Sequence, residues 1–320
     1  MCIRKKIVVL GGGTGLSVLL RGLKQFPLDI TAIVTVADDG SSSGRLREEF
    51  DIFAVGDLRN VLVSLSEVEP LIEDLLQYRF VTDSSLNNHP MGNLLLTALY
   101  NITGNLTESL RSLSKIFNIK GTILPFTEEN PVLIAHTTDG KIIEGESNIT
   151  KAGKEIDYIK YKNEVKPTKE VIKAIDDADL IIFGIGSLYT SIIPNLLSKE
   201  VVESLKNSKA KKMYVCNIMS EHGETDNYKV SDCIKKINSY VKEDLMDVVV
   251  VNNKKVPDDI KERYLGETAG QIDIDYDVLN DMNVEIIEDE LLYISEKKKV
   301  RHDPYRTALA IFNYIVKELK

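Results

Sequence analysis

Gly11-Gly12-Gly13-Thr14-Gly15 places four glycines between an apolar run and a helical pattern. Without a Cβ, glycine lets backbone N–H groups approach a phosphate closely. The N-terminus of a following helix adds unpaired donors and partial positive charge. The spacing fits neither common phosphate fingerprint. GxGxxG would need glycine at Leu16, and a P-loop would end in Gly-Lys-Ser/Thr. The turn therefore argues for a phosphate-bearing ligand without pointing to NAD or to ATP hydrolysis; a bare tight turn is the alternative.

Further polar loops carry the same kind of chemistry. In Asp38-Asp39-Gly40-Ser41-Ser42-Ser43-Gly44-Arg45-Leu46-Arg47, the paired carboxylates could hold a ribose or a Mg²⁺, and Ser42, Ser43 and Arg45 could hold phosphate oxygens. The alternative is a solvated loop. Val55-Gly56-Asp57-Leu58-Arg59-Asn60 offers Asp57 as a helix cap or a ligand contact, with Asn60 beside it. Asp38, Asp39 and Asp57 are the catalytic candidates if there is catalysis. Asn87 through Asn93 opens an apolar helix, with Asn93 a polar contact and His89 an acid/base or a structural residue. Gly184-Ile185-Gly186-Ser187-Leu188-Tyr189-Thr190-Ser191 is a second glycine turn, with Gly186, Ser187, Thr190 and Ser191 as donors. Asn217, Gly223, Glu224 and Thr225 belong to a sixth polar loop.

The elements that must position these loops are legible as an α/β rhythm. Ile7–Leu10 is a strand buried on both faces, and Leu16, Leu19, Leu20, Leu23 and Phe26 recur at helical spacing. Ile30–Val36 follows as a second strand, giving the βαβ unit of a doubly wound fold. Residues 71–117 read as mainly helical. Residues 121–165 read as a β-rich insert, with a hairpin of Val132–Thr137 and Lys141–Gly145 turning at Asp139-Gly140. Leu180–Gly184, Lys212–Ile218, Val248–Val251 and Val284–Ile287 are further strands. Asp303-Pro304 opens a final helix through Leu309, Phe312 and Val316. The expectation is one α/β unit over 1–320: a Rossmann-like, doubly wound, mostly parallel sheet with a small insert. Loops leaving the carboxyl ends of its strands would share one crevice.

Composition sets the bounds. The net charge of −9 and the lack of a basic block argue against nucleic acid, whose phosphates need a basic face. No apolar run approaches the ~18 residues that insert into a bilayer. The three cysteines, Cys2, Cys216 and Cys233, and the four histidines, His89, His136, His222 and His302, show no metal-ligand spacing. Free thiols and a cytoplasmic location are the expectation.

Taken together, GGGTGLSVLLRGLK from Gly11, TVADDGSSSGRLR from Thr35, GDLRN from Gly56, GNLLLTAL from Gly92, ADLIIFGIGSLYTSIIPNLL from Ala178 and YVCNIMSEHGETDNY from Tyr214 resemble the CofD-like family across nearly the whole chain. The forms of the first helix and of the second glycine turn are similar to its YvcK branch. Ser41 stands where the family usually has glycine, Ala54-Val55 where it has Pro-Pro, and Ile185 where it has proline. The resemblance implies a Rossmann-like fold that binds UDP-sugars, notably UDP-N-acetylglucosamine, and a regulatory link to gluconeogenic growth, cell shape and peptidoglycan synthesis. A regulatory protein partner and a homo-oligomer are compatible with it. Tyr264 could then stack on uracil or fill core, and Arg301 and His302 could meet a diphosphate, with a surface ion pair as the alternative for Arg301. The sister branch implies the alternative, a Mg²⁺-dependent transferase moving a phospholactyl group from a guanosine diphosphate-linked donor to an alcohol.

Overall fold

The computed structural model describes residues 4–67, 70–265 and 269–319. In chain order, strands β1 (Lys6–Gly11), β2 (Asp29–Val34) and β3 (Thr122–Pro125) are followed by β4 (Leu133–Thr137), β5 (Ile142–Glu144) and β6 (Ile156–Tyr161). Then come β7 (Leu180–Phe183), β8 (Lys211–Val215), β9 (Val248–Asn252), β10 (Glu285–Asp289) and the short pair β11 (Leu292–Ile294) and β12 (Val300–His302). The central sheet is seven-stranded and parallel, in the order β10-β9-β8-β7-β1-β2-β3. It is a doubly wound, Rossmann-like α/β fold. From β1 the chain steps outward to β2 and β3, then returns to β7 on the other side and runs on to β10. The order therefore reverses between β1 and β7, where such sheets open a crevice.

Each β1 residue serves one face of the sheet, because successive side chains point to opposite sides. Ile7 and Val9 join one core, with Leu16, Leu20 and Ile311, while Val8 and Leu10 join the other, with Phe183 and Tyr189. Burial on both faces is why this strand reads as a continuous apolar run. The helices before the insert are α1 (Gly13–Leu23), α2 (Ser41–Phe50), α3 (Gly56–Leu65), α4 (Pro70–Gln77), α5 (Met91–Thr103) and α6 (Leu106–Ile116).

Three sequence expectations shift. Thr122–Pro125 pairs in parallel with β2 at the sheet edge, so the antiparallel part, in the order β5-β4-β6, starts later than residue 121. Between β5 and β6 it carries α7 (Glu146–Ala152). β8 ends at Val215 rather than Ile218, which frees Asn217 to enter a loop. The last helix, Pro304–Glu318, is capped by Asp303, which accepts the N–H groups of Tyr305 and Arg306 at 2.9 and 3.0 Å. Its buried stripe is Thr307, Ala308, Ile311 and Ile315; Leu309 and Val316, expected to face the core, are 47% and 62% exposed. Cys216 and Cys233 are free, buried thiols in one apolar core. Cys2 lies outside the described residues.

Candidate functional site

The first glycine turn leaves β1 at the switch point. Gly13 takes φ +67°, a left-handed conformation that glycine adopts without penalty, and a side chain there would face open space toward Ser191. Gly15 has a different role. A Cβ on it would stand 2.7 Å from the Ile185 carbonyl carbon, so the turns after β1 and β7 press backbone on backbone.

The second turn is wound as a single π-type turn, Leu188–Ile192, and is braced from below. Ser187 Oγ accepts the N–H and hydroxyl of Thr190, each at 2.9 Å, and donates to Glu224 Oε2. The same carboxylate accepts the Tyr189 N–H at 3.3 Å. Asn217 clamps Gly186 from both sides, donating to its carbonyl at 2.9 Å and accepting its N–H at 3.3 Å. The hydroxyl, amide and carboxylate expected to meet a ligand are thus committed in part to holding the turn.

Between the two turns lies a cavity of about 350 Å³. Gly12, Gly13, Thr14 and Gly15 form one wall, and Gly186, Ser187, Thr190 and Ser191 the other. Asn217, Glu221 and Glu224 close the β8 side, and Tyr264, Arg301 and His302 the far end. Tyr264 Oη accepts the Val300 N–H at 2.9 Å, which fixes the ring at the cavity edge. His302 Nε2 bonds the Cys216 carbonyl at 3.1 Å, and burial lowers its pKa to about 4. It is neutral at pH 7 and adds no positive charge to the cavity.

Other expected residues lie outside this cavity. Gly11 is the last residue of β1, and its carbonyl accepts the Thr35 N–H at 3.0 Å. Ser42, Asn93 and His89 form a buried cluster of their own, with Ser42 Oγ 2.8 Å from His89 Nδ1 and 3.0 Å from Asn93 Nδ2. Ser43 Oγ accepts the Gly56 N–H at 3.1 Å, and Asn60 accepts Arg59 at 2.6 Å. Arg45 donates to the Ser85 and Asn87 carbonyls, so its guanidinium serves that loop. Thr225 Oγ1 accepts the Glu221 N–H at 2.9 Å, and Gly223, at φ +80°, packs on Gly153. Ser41 takes φ +46°, a left-handed position that explains why glycine is the more comfortable residue there.

Asp38 and Asp39 diverge. Asp38 Oδ1 accepts the Gly40 N–H at 2.8 Å, while Asp39 Oδ1 reaches the Ser147 N–H of α7 at 2.8 Å. Asp57 turns toward the first glycine turn instead: a Cβ on Gly12 would stand 2.9 Å from its Oδ2. Burial, with the Asp38 charge added, raises Asp57 to about 7, and the Gly13 N–H opposes the shift. Glu146 is raised to about 8 by burial and by Asp38, Asp57, Asp39 and Glu224, and Glu224 to about 8 by burial and Glu221. Among the described residues no three His, Cys, Asp or Glu side chains converge on a metal by themselves. Nor is any helix of the described residues long and apolar enough to cross a membrane.

Glu146 and Thr150 line the cavity, and sequence reasoning missed both. They come from α7, and nothing in their local sequence marks them as cavity residues.

The family described as 2-phospho-L-lactate transferase CofD matches residues 7–292. The chain is 46% identical over 306 residues to a protein named Gluconeogenesis factor from Bacillus subtilis, covering 95% of this chain and 96% of that one. It is 42% identical over 310 residues to the Gluconeogenesis factor of Listeria monocytogenes, covering 96% and 95%. The X-ray crystal structure of a Bacillus halodurans protein superposes with a TM-score of 0.93 at 45% identity, covering 97% of this chain and 100% of that one. Matches of this length and order leave one assignment: the chain belongs to the CofD family, in the branch of its gluconeogenesis-factor relatives.

Proposed function

We propose that this chain is a regulatory protein that binds a UDP-sugar, with UDP-N-acetylglucosamine as the reference ligand. One observation carries the reading: two glycine turns from adjacent strands face each other across a cavity at the switch point. The backbone N–H groups of Gly12, Thr14 and Gly15 and the Ser191 hydroxyl would hold the diphosphate, since the Gly13 N–H serves Asp57 and the Thr190 hydroxyl serves Ser187. Arg301 would neutralise part of its charge, and Tyr264 would lie against the uracil. The names of the relatives support a role in gluconeogenic growth, and we extend it to cell shape and peptidoglycan synthesis through a cytoplasmic partner protein.

A Mg²⁺ ion would be held by Asp38 rather than by an Asp38–Asp39 pair, because Asp39 is turned to the Ser147 N–H. Mg²⁺ is commonly held by one or two carboxylates, with phosphate oxygens and water completing the shell. Bound there, it would offset the repulsion between Asp38, the neighbouring Asp57 and the ligand phosphates.

The test is a thermal-shift series with UDP-N-acetylglucosamine, GDP and NAD. At 100 Kd a ligand specific for the native state adds about 2.7 kcal/mol. A UDP-sugar that leaves the transition in place removes this reading. Asp57 favours a second one: a carboxyl at about 7 beside the phosphate turn suits a group that accepts a proton from an alcohol. Phosphorus NMR of a guanosine diphosphate-linked phospholactyl donor, an alcohol and Mg²⁺ tests it, since transfer releases GMP steadily.

A further inference from the structure

Helix α7 crosses the crevice as a strap. Near its first turn, the Ser147 N–H donates to Asp39 Oδ1 at 2.8 Å, in the loop that follows β2. Just past its other end, Gly153 meets Gly223, in the loop that follows β8. Both are left-handed, at φ 52° and 80°, and a Cβ on Gly223 would stand 2.7 Å from Lys154 N. The Ile156 N–H adds a bond to the Gly223 carbonyl at 3.2 Å. β2 and β8 flank the β1–β7 pair, so the strap spans three strand intervals, roughly 14 Å. A seven-residue helix rises roughly 10 Å, and its flanking residues cover the rest.

On the strap, Glu146 and Thr150 are four residues apart, hence on one helix face, and both line the cavity. The Glu146 side chain makes no hydrogen bond or ion pair among the described residues. Acidic side chains surround it: Asp38, Asp39, Asp57 and Glu224. Together with burial they hold its proton until about pH 8, so at neutral pH Glu146 offers one O–H donor and one acceptor oxygen, the pair that a sugar hydroxyl can use.

We infer that α7 is the specificity element of the cavity, with Glu146 and Thr150 taking the hydroxyls of a pyranose carried on the diphosphate. The inference rests on the nucleotide-sugar reading above and assigns the sugar end of that ligand. It also gives the antiparallel insert a purpose: to carry the strap from one half of the crevice to the other.

Calorimetric titration of the full chain with UDP-N-acetylglucosamine and with UDP tests it, using wild type, Glu146→Ala and Thr150→Val. Each variant is expected to bind the UDP-sugar about tenfold more weakly, the loss of one well-made hydrogen bond, while UDP stays within about twofold. Unchanged affinity for the sugar nucleotide would overturn the assignment. So would an equal loss for both ligands, which would make the strap a structural brace. A wild type that binds neither ligand would refute the nucleotide reading and the strap's role with it, and is told apart because wild type itself fails. Thr150 is exposed, so its variant keeps the comparison available even where Glu146→Ala loosens the insert.

Discussion

Gly13→Val separates the phosphate seat from the fold. Gly13 sits at φ +67°, and among the described residues, its chain neighbours aside, the only atom within 4 Å of a Cβ there is Ser191 Oγ at 3.8 Å. Steric cost in the folded core is therefore small, and the left-handed backbone supplies most of the penalty, about 1–2 kcal/mol. At roughly 2–4 °C per kcal/mol for a domain of 150–250 residues, the transition falls by no more than about 8 °C. The valine methyls meanwhile occupy the floor on which the phosphate would rest. Losing two backbone donors to a charged group, at about 1.5–3 kcal/mol each, weakens binding by roughly 100-fold or more. Scanning fluorimetry reads the stability, and calorimetry with UDP-N-acetylglucosamine reads the affinity. A folded Gly13→Val protein that keeps the wild-type Kd within threefold would refute the argument, because the turn would then be structural only. Gly15→Ala is the comparator: its Cβ meets the Ile185 backbone, so stability and binding fall together.

Glu224 gives a pH signature. Its pKa rises from 4.5 to about 8 on folding, so its favourable contribution is full below 4.5 and is lost as pH climbs through 8. His302, lowered to about 4, acts oppositely, contributing above 6.5 and fading as pH falls toward 4. Between pH 6.5 and 8 the raised acids Glu224, Glu146 and Asp57 all lose their favourable contribution, so stability should drop there, and Glu224→Gln should lessen the drop in a series of urea melts. Gly22→Ala should be among the most destabilising small changes. A Cβ there stands 2.7 Å from the Pro304 carbonyl carbon, for a cost of about 3 kcal/mol by chemical denaturation. Asp57→Asn removes a like charge near Asp38, so the free protein should melt no lower than wild type at pH 8 by scanning fluorimetry.

The sequence made the switch-point turns readable because glycine announces a backbone requirement on its own. Side-chain destinations were less readable, because they depend on partners far along the chain. Asp38 and Asp39 look like a chelating pair, yet one bonds its own loop and the other reaches Ser147, 108 residues away. Ser187, Asn217 and Glu224 were read as free donors and acceptors because a sequence shows the group and not what satisfies it. Leu309 and Val316 share a stripe by spacing, but the helix meets α1 through Ala308 and Ile311, where Gly22 lets the backbones close. Glu146 and Thr150 left no local signal, since their role comes from where the insert docks.

The distribution of charge around the cavity narrows the chemistry further than its shape does. N–H groups and hydroxyls line the two turns, and carboxylates line the strap and the loop after β8. A ligand with phosphate at one end and hydroxyl or amide donors at the other matches both sides at once; a bare anion matches only one. The same asymmetry bears on catalysis. Glu224 is already accepting from Ser187 and Tyr189, and its proton is held until about pH 8, so it is poorly placed to act as a base. Asp57, near 7 and beside the Gly12–Gly13 backbone, is the carboxyl whose proton can come and go where phosphate would sit. If transfer occurs, its pH-rate profile should therefore rise through about 7 and lose that limb in Asp57→Asn, whereas a limb near 8 would place the base on the strap or at Glu224.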